Sequence, residues 1–156
     1  MGKPLPPGIQ IPEELQLDPD ATVAICRTFI REQFAATGAA RAILGISGGI
    51  DSALVAHLLA DALGPERLVG VILPYATSAP SSRADALQVV AKLGCAVEEV
   101  PITAAVDSML SALPDGGVTT PIRRGNIAAR ARMTALYDRS ALHRGLVAGK
   151  IGRAHV

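Results

Sequence analysis

A glycine-rich turn between two apolar segments is the feature that most constrains how this chain can fold. Residues 45–52 read Gly-Ile-Ser-Gly-Gly-Ile-Asp-Ser. Apolar residues lead into the turn from Ala42, and a second apolar segment follows it as far as Leu63. Paired glycines allow positive φ and a close backbone approach, and the free N–H groups of a helix start attract an anion. The pattern therefore predicts a strand, a turn that can hold a phosphate, and a helix.

The residue types within this turn are those that bind a polyphosphate carrying magnesium. Ser47 and Ser52 supply hydroxyl donors, and Asp51 supplies a carboxylate that can hold Mg²⁺. The chain has no Gly-Lys-Ser or Gly-Lys-Thr, which excludes a Walker A loop, and Gly45 to Gly49 do not fit a dinucleotide fingerprint. An ordinary strand-to-helix turn without a ligand is the alternative.

Composition favours one α/β domain with an aliphatic core. Hydrophobic residues make up 49% of the 156 residues and aromatic residues only 3%. Such a core suits helices packed on a parallel sheet. The net charge of +1 gives no indication of a nucleic-acid or membrane partner, and no apolar run is long enough for a membrane span. We expect a soluble, cytoplasmic protein.

Helical and extended patterns alternate along the chain, which predicts a parallel, doubly wound sheet with right-handed crossovers. Residues 1–19 are expected to form a loose arm and residues 20–150 the domain. The predicted strands are 42–47, 68–73, 96–102 and a strand over 145–149. The predicted helices are 19–37, one ending at Leu63, one from Ser81 or Ser82 to Leu93, 104–113 and 125–142.

The last predicted helix is rich in arginine. Residues 126–133 read Asn-Ile-Ala-Ala-Arg-Ala-Arg-Met. Helical spacing puts Arg123 and Arg130 on one face and Arg132 on another, so Arg130 and Arg132 cannot clamp the same group. A local excess of guanidinium groups favours a polyphosphate or carboxylate ligand, with a solvated basic face as the alternative.

Four segments together resemble NAD synthetase, the ammonia-using member of the ATP pyrophosphatase (PP-loop) superfamily. They are the turn at 45–52, Leu73-Pro74, the serine-rich stretch 78–82 with Asp85-Ala86, and residues 126–133. The last of these selects this family among its relatives. The resemblance implies a Rossmann-like fold of the adenine nucleotide α-hydrolase type.

The resemblance also implies an activity and a set of ligands. The family is a carbon–nitrogen ligase that amidates deamido-NAD to NAD through a nicotinyl adenylate and releases AMP and pyrophosphate. It acts as a homodimer. Because no glutaminase domain is recognisable in this chain, we expect free ammonia or a separate protein as the nitrogen donor. The implied site residues are Gly45, Ser47, Gly48, Gly49, Asp51, Ser52 and Leu73 for ATP, Asp51 also for Mg²⁺, and Arg130 for deamido-NAD. The roles of Arg132 and Tyr137 stay open.

The chain departs from the family pattern after the fourth predicted strand. The family continues Gly-Thr-Gly-Asn-x-x-Glu, whereas Lys150 and His155 stand at the positions of its Thr and Glu. We expect a truncated fragment with a sheet incomplete at its C-terminal end, a non-native tail at 151–156, and little or no activity of its own. The alternatives are an ATP-binding module without turnover, or another adenylating synthetase of the GMP synthetase or tRNA-modifying type.

Overall fold

A computed structural model describes residues 16–115 and 120–149 of the chain. These residues form five α-helices and four β-strands, with one 3₁₀ turn at Pro65–Arg67. Helices and strands alternate except that α4 and α5 follow each other directly. The helices are α1 (Pro19–Thr37), α2 (Ile50–Leu63), α3 (Pro80–Leu93), α4 (Thr103–Ser111) and α5 (Pro121–Leu142), and the strands are β1 (Arg41–Gly45), β2 (Leu68–Ile72), β3 (Ala96–Glu99) and β4 (Gly145–Ala148). None of the helices in the described part of the chain combines the length and apolar character that a membrane span requires.

The four strands form one parallel sheet in the order β3-β2-β1-β4. In the central strand β1, Ala42 pairs with Leu68 of β2 and with Leu146 of β4. The chain runs outward from β1 to β3 and then returns to the other side of β1. Open α/β sheets bind ligands at such a reversal, outside the carboxyl ends of the strands. The predicted α/β fold class is confirmed.

Two apolar clusters cover the two faces of the sheet, and β1 contributes alternate residues to each. Ala42 and Leu44 belong to the cluster under α1, α2 and α3, which includes Phe34. Ile43 belongs to the other cluster, which includes Val106 of α4 and Ala128 of α5. Burial of both faces explains why the strand is almost uninterruptedly apolar. This burial also holds the end of β1, and with it the turn that follows, in a fixed position.

The ends of two helices differ from the sequence-based expectation. Helix α3 begins at Pro80, before both predicted caps, and its N-cap residue Ala79 makes no side-chain cap bond. Helix α5 begins at Pro121, well before the predicted start at 125, and the Thr120 hydroxyl accepts a hydrogen bond from the Arg123 N–H at 3.3 Å. Proline suits the first helical turn because its fixed φ is helical and its missing N–H has no partner there.

Some sequence-based expectations lie outside the described residues. These are most of the loose arm at 1–19, and residues 150–156 with Lys150, His155 and the expected tail. The boundaries of the domain stay predictions.

The buried β2 strand offers a test of this fold. Leu68 has no exposed surface, whereas Leu54 of α2 is 58% exposed. Leu68→Ala should lower the free energy of unfolding by about 2–5 kcal/mol because it leaves a cavity in the core. Leu54→Ala, the same truncation at the surface, should change it by about 0.5 kcal/mol or less. Urea unfolding of both variants is the measurement, and equal losses would contradict the assigned core.

Candidate functional site

The glycine-rich turn connects β1 to α2 and packs against the start of α3. Gly48 has φ +79°, a left-handed conformation that favours glycine. A Cβ atom at this position would overlap the Ser82 carbonyl oxygen. The sequence predicts this glycine as a point of ligand approach. The structure adds a contact within the protein, because only a residue without a side chain lets the turn meet the backbone of α3.

The two serines of the turn bond to each other and to the turn itself. The buried Ser52 hydroxyl donates to the Gly49 carbonyl oxygen at 2.9 Å and accepts from the Ser47 N–H at 3.2 Å. The Ser47 and Ser52 hydroxyl oxygens lie 3.2 Å apart. Ser52 therefore fixes the shape of the turn from inside, while Ser47 is exposed at its surface. The phosphate-binding roles predicted for both hydroxyls stay predictions.

Asp51 lies in the first turn of α2 with an exposed side chain. A carboxylate is favoured there by the helix dipole. No group of three or more His, Cys, Asp or Glu side chains within 16–115 and 120–149 could hold a metal ion. Mg²⁺ commonly takes only one or two protein carboxylates and completes its shell with phosphate oxygens and water. One hard carboxylate beside the glycine turn therefore fits a magnesium ion that arrives with a polyphosphate.

A cavity of about 570 Å³ opens beside this turn, at the carboxyl ends of β1 and β2. We refer to it as the nucleotide cavity, after the ligand that is proposed for it under Proposed function. Its lining residues come from the turn, the end of β2, the start of α3 and the middle of α5: Gly45, Ile46, Ser47, Ile72, Leu73, Pro74, Tyr75, Ser78, Ala79, Ser82, Arg83, Arg132 and Leu136. Apolar walls with a few polar groups at one end are typical of sites for small organic ligands.

Gly45 keeps room in the floor of the nucleotide cavity. A Cβ atom at Gly45 would lie 3.3 Å from a methyl group of Leu136 and 3.7 Å from one of Leu73. The first distance is tighter than an ordinary van der Waals contact, so a side chain here would displace the wall. Gly45, Leu73 and Ser47, all predicted site residues, thus line the same cavity.

The arginines of the Arg-Ala-Arg segment of α5 face different directions, as the helical spacing predicts. Arg132 is partly buried in the nucleotide cavity, and its Nε donates to the Leu73 carbonyl oxygen at 3.2 Å. Burial lowers the pKa of its guanidinium group, which stays protonated at neutral pH. Arg130 does not line this cavity; it is exposed, and its NH1 donates to the Asn126 carbonyl oxygen at 3.0 Å. Tyr137 is 61% exposed.

Two residues of the site were not singled out from the sequence. Tyr75 is buried, and its hydroxyl accepts from Arg124 at 3.0 Å and donates to Asp107 at 3.2 Å. Arg83 donates to both carboxylate oxygens of Glu99, at 2.8 and 2.7 Å. That pairing lowers the pKa of the Glu99 carboxyl and joins the start of α3 to β3. The position of Tyr75, directly after Leu73-Pro74, was the sequence signal that could have found it.

The contact between Gly48 and Ser82 can be tested by adding the same side chain to each glycine of the turn. Gly48→Ser should lower the free energy of unfolding by about 1–3 kcal/mol, since φ is positive and the Cβ meets backbone. Gly49 has an extended backbone at the N-cap of α2, and a Cβ there would meet only the Ser47 hydroxyl at 3.4 Å. Gly49→Ser should therefore be nearly neutral. Denaturant unfolding compares them, and equal stability would rule out the contact.

A parallel sheet whose strand order reverses at β1, with a glycine turn and a cavity at that point, defines an open α/β protein with a candidate ligand site at the reversal. Residues 22–154 match the family model for NAD synthase. The chain belongs to the NAD synthase family.

Known proteins similar to this chain are named as NAD synthetases. An NH(3)-dependent NAD(+) synthetase of Trichlorobacter lovleyi is 48% identical over 121 residues, which are 78% of this chain and 43% of that protein. One of Pelodictyon phaeoclathratiforme is 41% identical over 137 residues, 88% of this chain and 48% of that protein. The chain thus spans about half the length of these curated relatives.

Solved structures give the same result. The NH3-dependent NAD synthetase of Campylobacter jejuni, in complex with the nitrate ion, is 34% identical with a TM-score of 0.81, over 88% of this chain and 58% of that one. The glutamine-dependent NAD+ synthetase of Acinetobacter baumannii, in complex with ADP, is 32% identical with a TM-score of 0.77, over 84% of this chain and 25% of that one. The resemblance inferred from the sequence is confirmed.

Proposed function

We propose that this chain forms the ATP-binding part of an NAD synthetase, a carbon–nitrogen ligase that amidates deamido-NAD with ammonia at the expense of ATP. The observation that carries the proposal is the nucleotide cavity, which joins the glycine turn after β1 to the apolar end of β2. Its lining suits an adenine nucleotide, with phosphates at the turn and the base against Leu73 and Pro74. The similarity to NH(3)-dependent relatives supports ammonia as the nitrogen donor.

The phosphates of ATP are proposed to bind at the turn through main-chain N–H groups. Gly48 and Gly49 present backbone without side chains, and the first N–H groups of α2 point out of the helix start. The exposed Ser47 hydroxyl adds a donor. Such a turn would hold the triphosphate in one orientation. Positioning of this kind is the main contribution that the protein makes to transfer of the adenylyl group to a carboxylate oxygen.

Asp51 is the proposed protein ligand of Mg²⁺. Its carboxylate is exposed at the start of α2, on the same turn as the proposed phosphate donors. When bound there, Mg²⁺ neutralises phosphate charge that would otherwise repel the attacking carboxylate. Through the bound metal ion, Asp51 would keep the phosphates beside the turn.

Arg130 is proposed to bind deamido-NAD from the outer face of α5. Helical spacing puts Met133 and Tyr137 on the same face, and they are 52% and 61% exposed. A homodimer in which a second copy covers this face would shelter these apolar groups and bring a ligand surface to Arg130. The proposed location of the protein is the cytoplasm.

The amidation reaction is favoured over the other readings of the sequence. A GMP synthetase or a tRNA-modifying synthetase has the support of the glycine turn alone, whereas the relatives described above carry the NAD synthetase name along most of this chain. An ATP-binding module without turnover would have the same cavity, so the cavity does not distinguish it from the synthetase. Analysis of the reaction products, NAD and AMP, distinguishes the two.

The experiment that tests the proposal follows ATP and deamido-NAD together. The chain is incubated with deamido-NAD, ATP, Mg²⁺ and ammonium, and NAD and AMP are quantified by chromatography, while ATP binding is measured by calorimetry. NAD and AMP formed in equal amounts support the synthetase. Little or no activity is expected of a chain that spans about half the length of its relatives. Bound ATP without either product therefore supports the binding module only when a chain extended to the length of the relatives also forms neither product. Absence of ATP binding would overturn both.

Asp51 can be tested against an acidic residue in the same helical position. Asp51→Asn should weaken binding of ATP·Mg²⁺ by about tenfold or more, the scale of one lost charged contact, and weaken metal-free ATP much less. Asp20 occupies the first turn of α1. Asp20→Asn is the matched control and should leave both affinities unchanged. If Asp51→Asn loses the same ATP affinity with and without Mg²⁺, Asp51 does not bind the metal ion and acts only as a charge at the helix terminus.

Arg130 is tested by its selectivity between the two substrates. Arg130→Ala should weaken deamido-NAD by about tenfold or more and leave the affinity for ATP unchanged, because the residue does not line the nucleotide cavity. Arg130→Lys should restore only part of the affinity, since a point charge cannot reproduce the guanidinium fork. Calorimetric titration with each substrate is the measurement. Unchanged deamido-NAD affinity in Arg130→Ala would show that Arg130 belongs to a solvated helix face without a role in binding.

A further inference from the structure

An ion pair that has no role in the proposed function borders the nucleotide cavity on its β3 side. Arg83, near the start of α3, lines the cavity, and its Nε and NH2 donate to the two carboxylate oxygens of Glu99 at 2.8 and 2.7 Å. Glu99 is the last residue of β3 and pairs in register with Ile72, which also lines the cavity. We call these two side chains the Arg83–Glu99 pair.

The Arg83–Glu99 pair orients a guanidinium group more than it stabilises the fold. The side chains of Arg83 and Glu99 are 54% and 33% exposed, and exposed ion pairs contribute little to the free energy of unfolding. The two-point contact nevertheless fixes the plane of the guanidinium group. It involves Nε and NH2, so Glu99 uses neither NH1 nor the two planar faces of the group.

The pair lies toward the end of the cavity where the nucleobase is proposed to bind. The strand order β3-β2-β1 puts Glu99 two strands, about 10 Å, from the strand that precedes the glycine turn. Leu73, a proposed base contact, follows the intervening strand β2. On α3, Ser82 meets Gly48 of the turn, whereas the next residue, Arg83, is directed to β3. Arg83 is therefore held away from the proposed phosphate site.

The charge of the pair also suits an uncharged group better than a phosphate. The Glu99 carboxylate compensates the charge of Arg83, so the pair is neutral overall. The pairing raises the pKa of the Arg83 guanidinium group and lowers the pKa of the Glu99 carboxyl, so both stay ionised at neutral pH. A guanidinium group stacks on the flat face of an aromatic ring and donates hydrogen bonds in its own plane. A nucleobase offers both a flat face and acceptor nitrogens.

We propose that Arg83 contacts the nucleobase of the bound nucleotide, and that Glu99 is the positioning residue that holds its guanidinium group at the base. The planar face and the NH1 group, which Glu99 does not use, supply the contact. The inference rests on the proposed function, because that function assigns the nucleotide and its orientation to the cavity. The pair should then contribute to the affinity for the base and not to the affinity for the phosphates.

The test compares ATP with inorganic triphosphate, which has the phosphates and lacks the base. Both affinities are measured by calorimetry with Mg²⁺ present, and triphosphate is titrated in competition with ATP. The double variant Arg83→Gln/Glu99→Gln removes the pair without changing the net charge. It should weaken ATP by about two- to fivefold, the scale of one exposed cation–π contact, and leave the affinity for triphosphate unchanged.

Glu99→Gln alone tests the positioning role. It retains Arg83 and keeps one oxygen that can accept a hydrogen bond, but it removes the charge and the second acceptor. The affinity for ATP relative to triphosphate should fall by less than in the double variant. If the double variant does not fold, this ratio in Glu99→Gln decides, since loss of a purely structural ion pair would not change it.

The ion pair of Arg27 with Asp61 provides the matched control. It joins α1 to α2, with Arg27 Nε donating to Asp61 at 2.7 Å and side chains that are 40% and 47% exposed. Neither residue lines the nucleotide cavity. Arg27→Gln/Asp61→Asn also removes an exposed pair without changing the net charge, and it should leave both affinities unchanged. An equal fall of the ratio in this control would overturn the inference.

The contrary results separate this inference from the proposed function. Equal weakening of ATP and triphosphate in the double variant would mean that Arg83 acts on the phosphates, and unchanged ATP affinity would mean that the pair is a surface ion pair only. Either result overturns the inference, while ATP binding by the parent chain leaves the proposed function standing. If the parent chain does not bind ATP, the proposed function fails and the inference fails with it.

Discussion

The close approach of Gly48 to the Ser82 backbone is the contact on which the geometry of the site depends. It joins the turn after β1 to the first turn of α3, with no space for a Cβ atom between them. The turn is fixed from the other side by the buried Ser52 hydroxyl. These contacts hold the turn and the start of α3, which both line the nucleotide cavity, against each other.

The central position of β1 explains why the cavity lies where it does. Its side chains are buried alternately in the two apolar clusters, so the strand cannot shift along its axis without exposing one of them. Its neighbours β2 and β4 lie on opposite sides. The helix after β1 therefore starts at the reversal of strand order, close to the cavity. The position of the proposed phosphate site thus follows from the topology of the sheet.

The cationic groups of the site are divided between the two faces of α5. Arg124 and Arg132 face the sheet side, where neutral oxygen acceptors of Tyr75 and Leu73 orient them. Arg130 faces outward, and within the described part of the chain its guanidinium group bonds only to its own helix. One helix thus presents charge to two separate places. In the proposed function, these would be the nucleotide side and the dinucleotide side of the enzyme.

Local sequence patterns were sufficient for the elements, and the tertiary structure decided which side chains meet. The strand–turn–helix at β1 and α2, and the helix ends at Gly38 and Gly94, follow from apolar periodicity and from left-handed glycines, which act over a few residues. Spacing also separated Arg130 from Arg132. It could not say which of them enters the cavity, because that depends on which face of α5 packs on β1. The internal bonds of Ser52 and the contact of Gly48 with α3 were equally beyond the sequence, since they join groups whose distances are set only when the helices pack on the sheet.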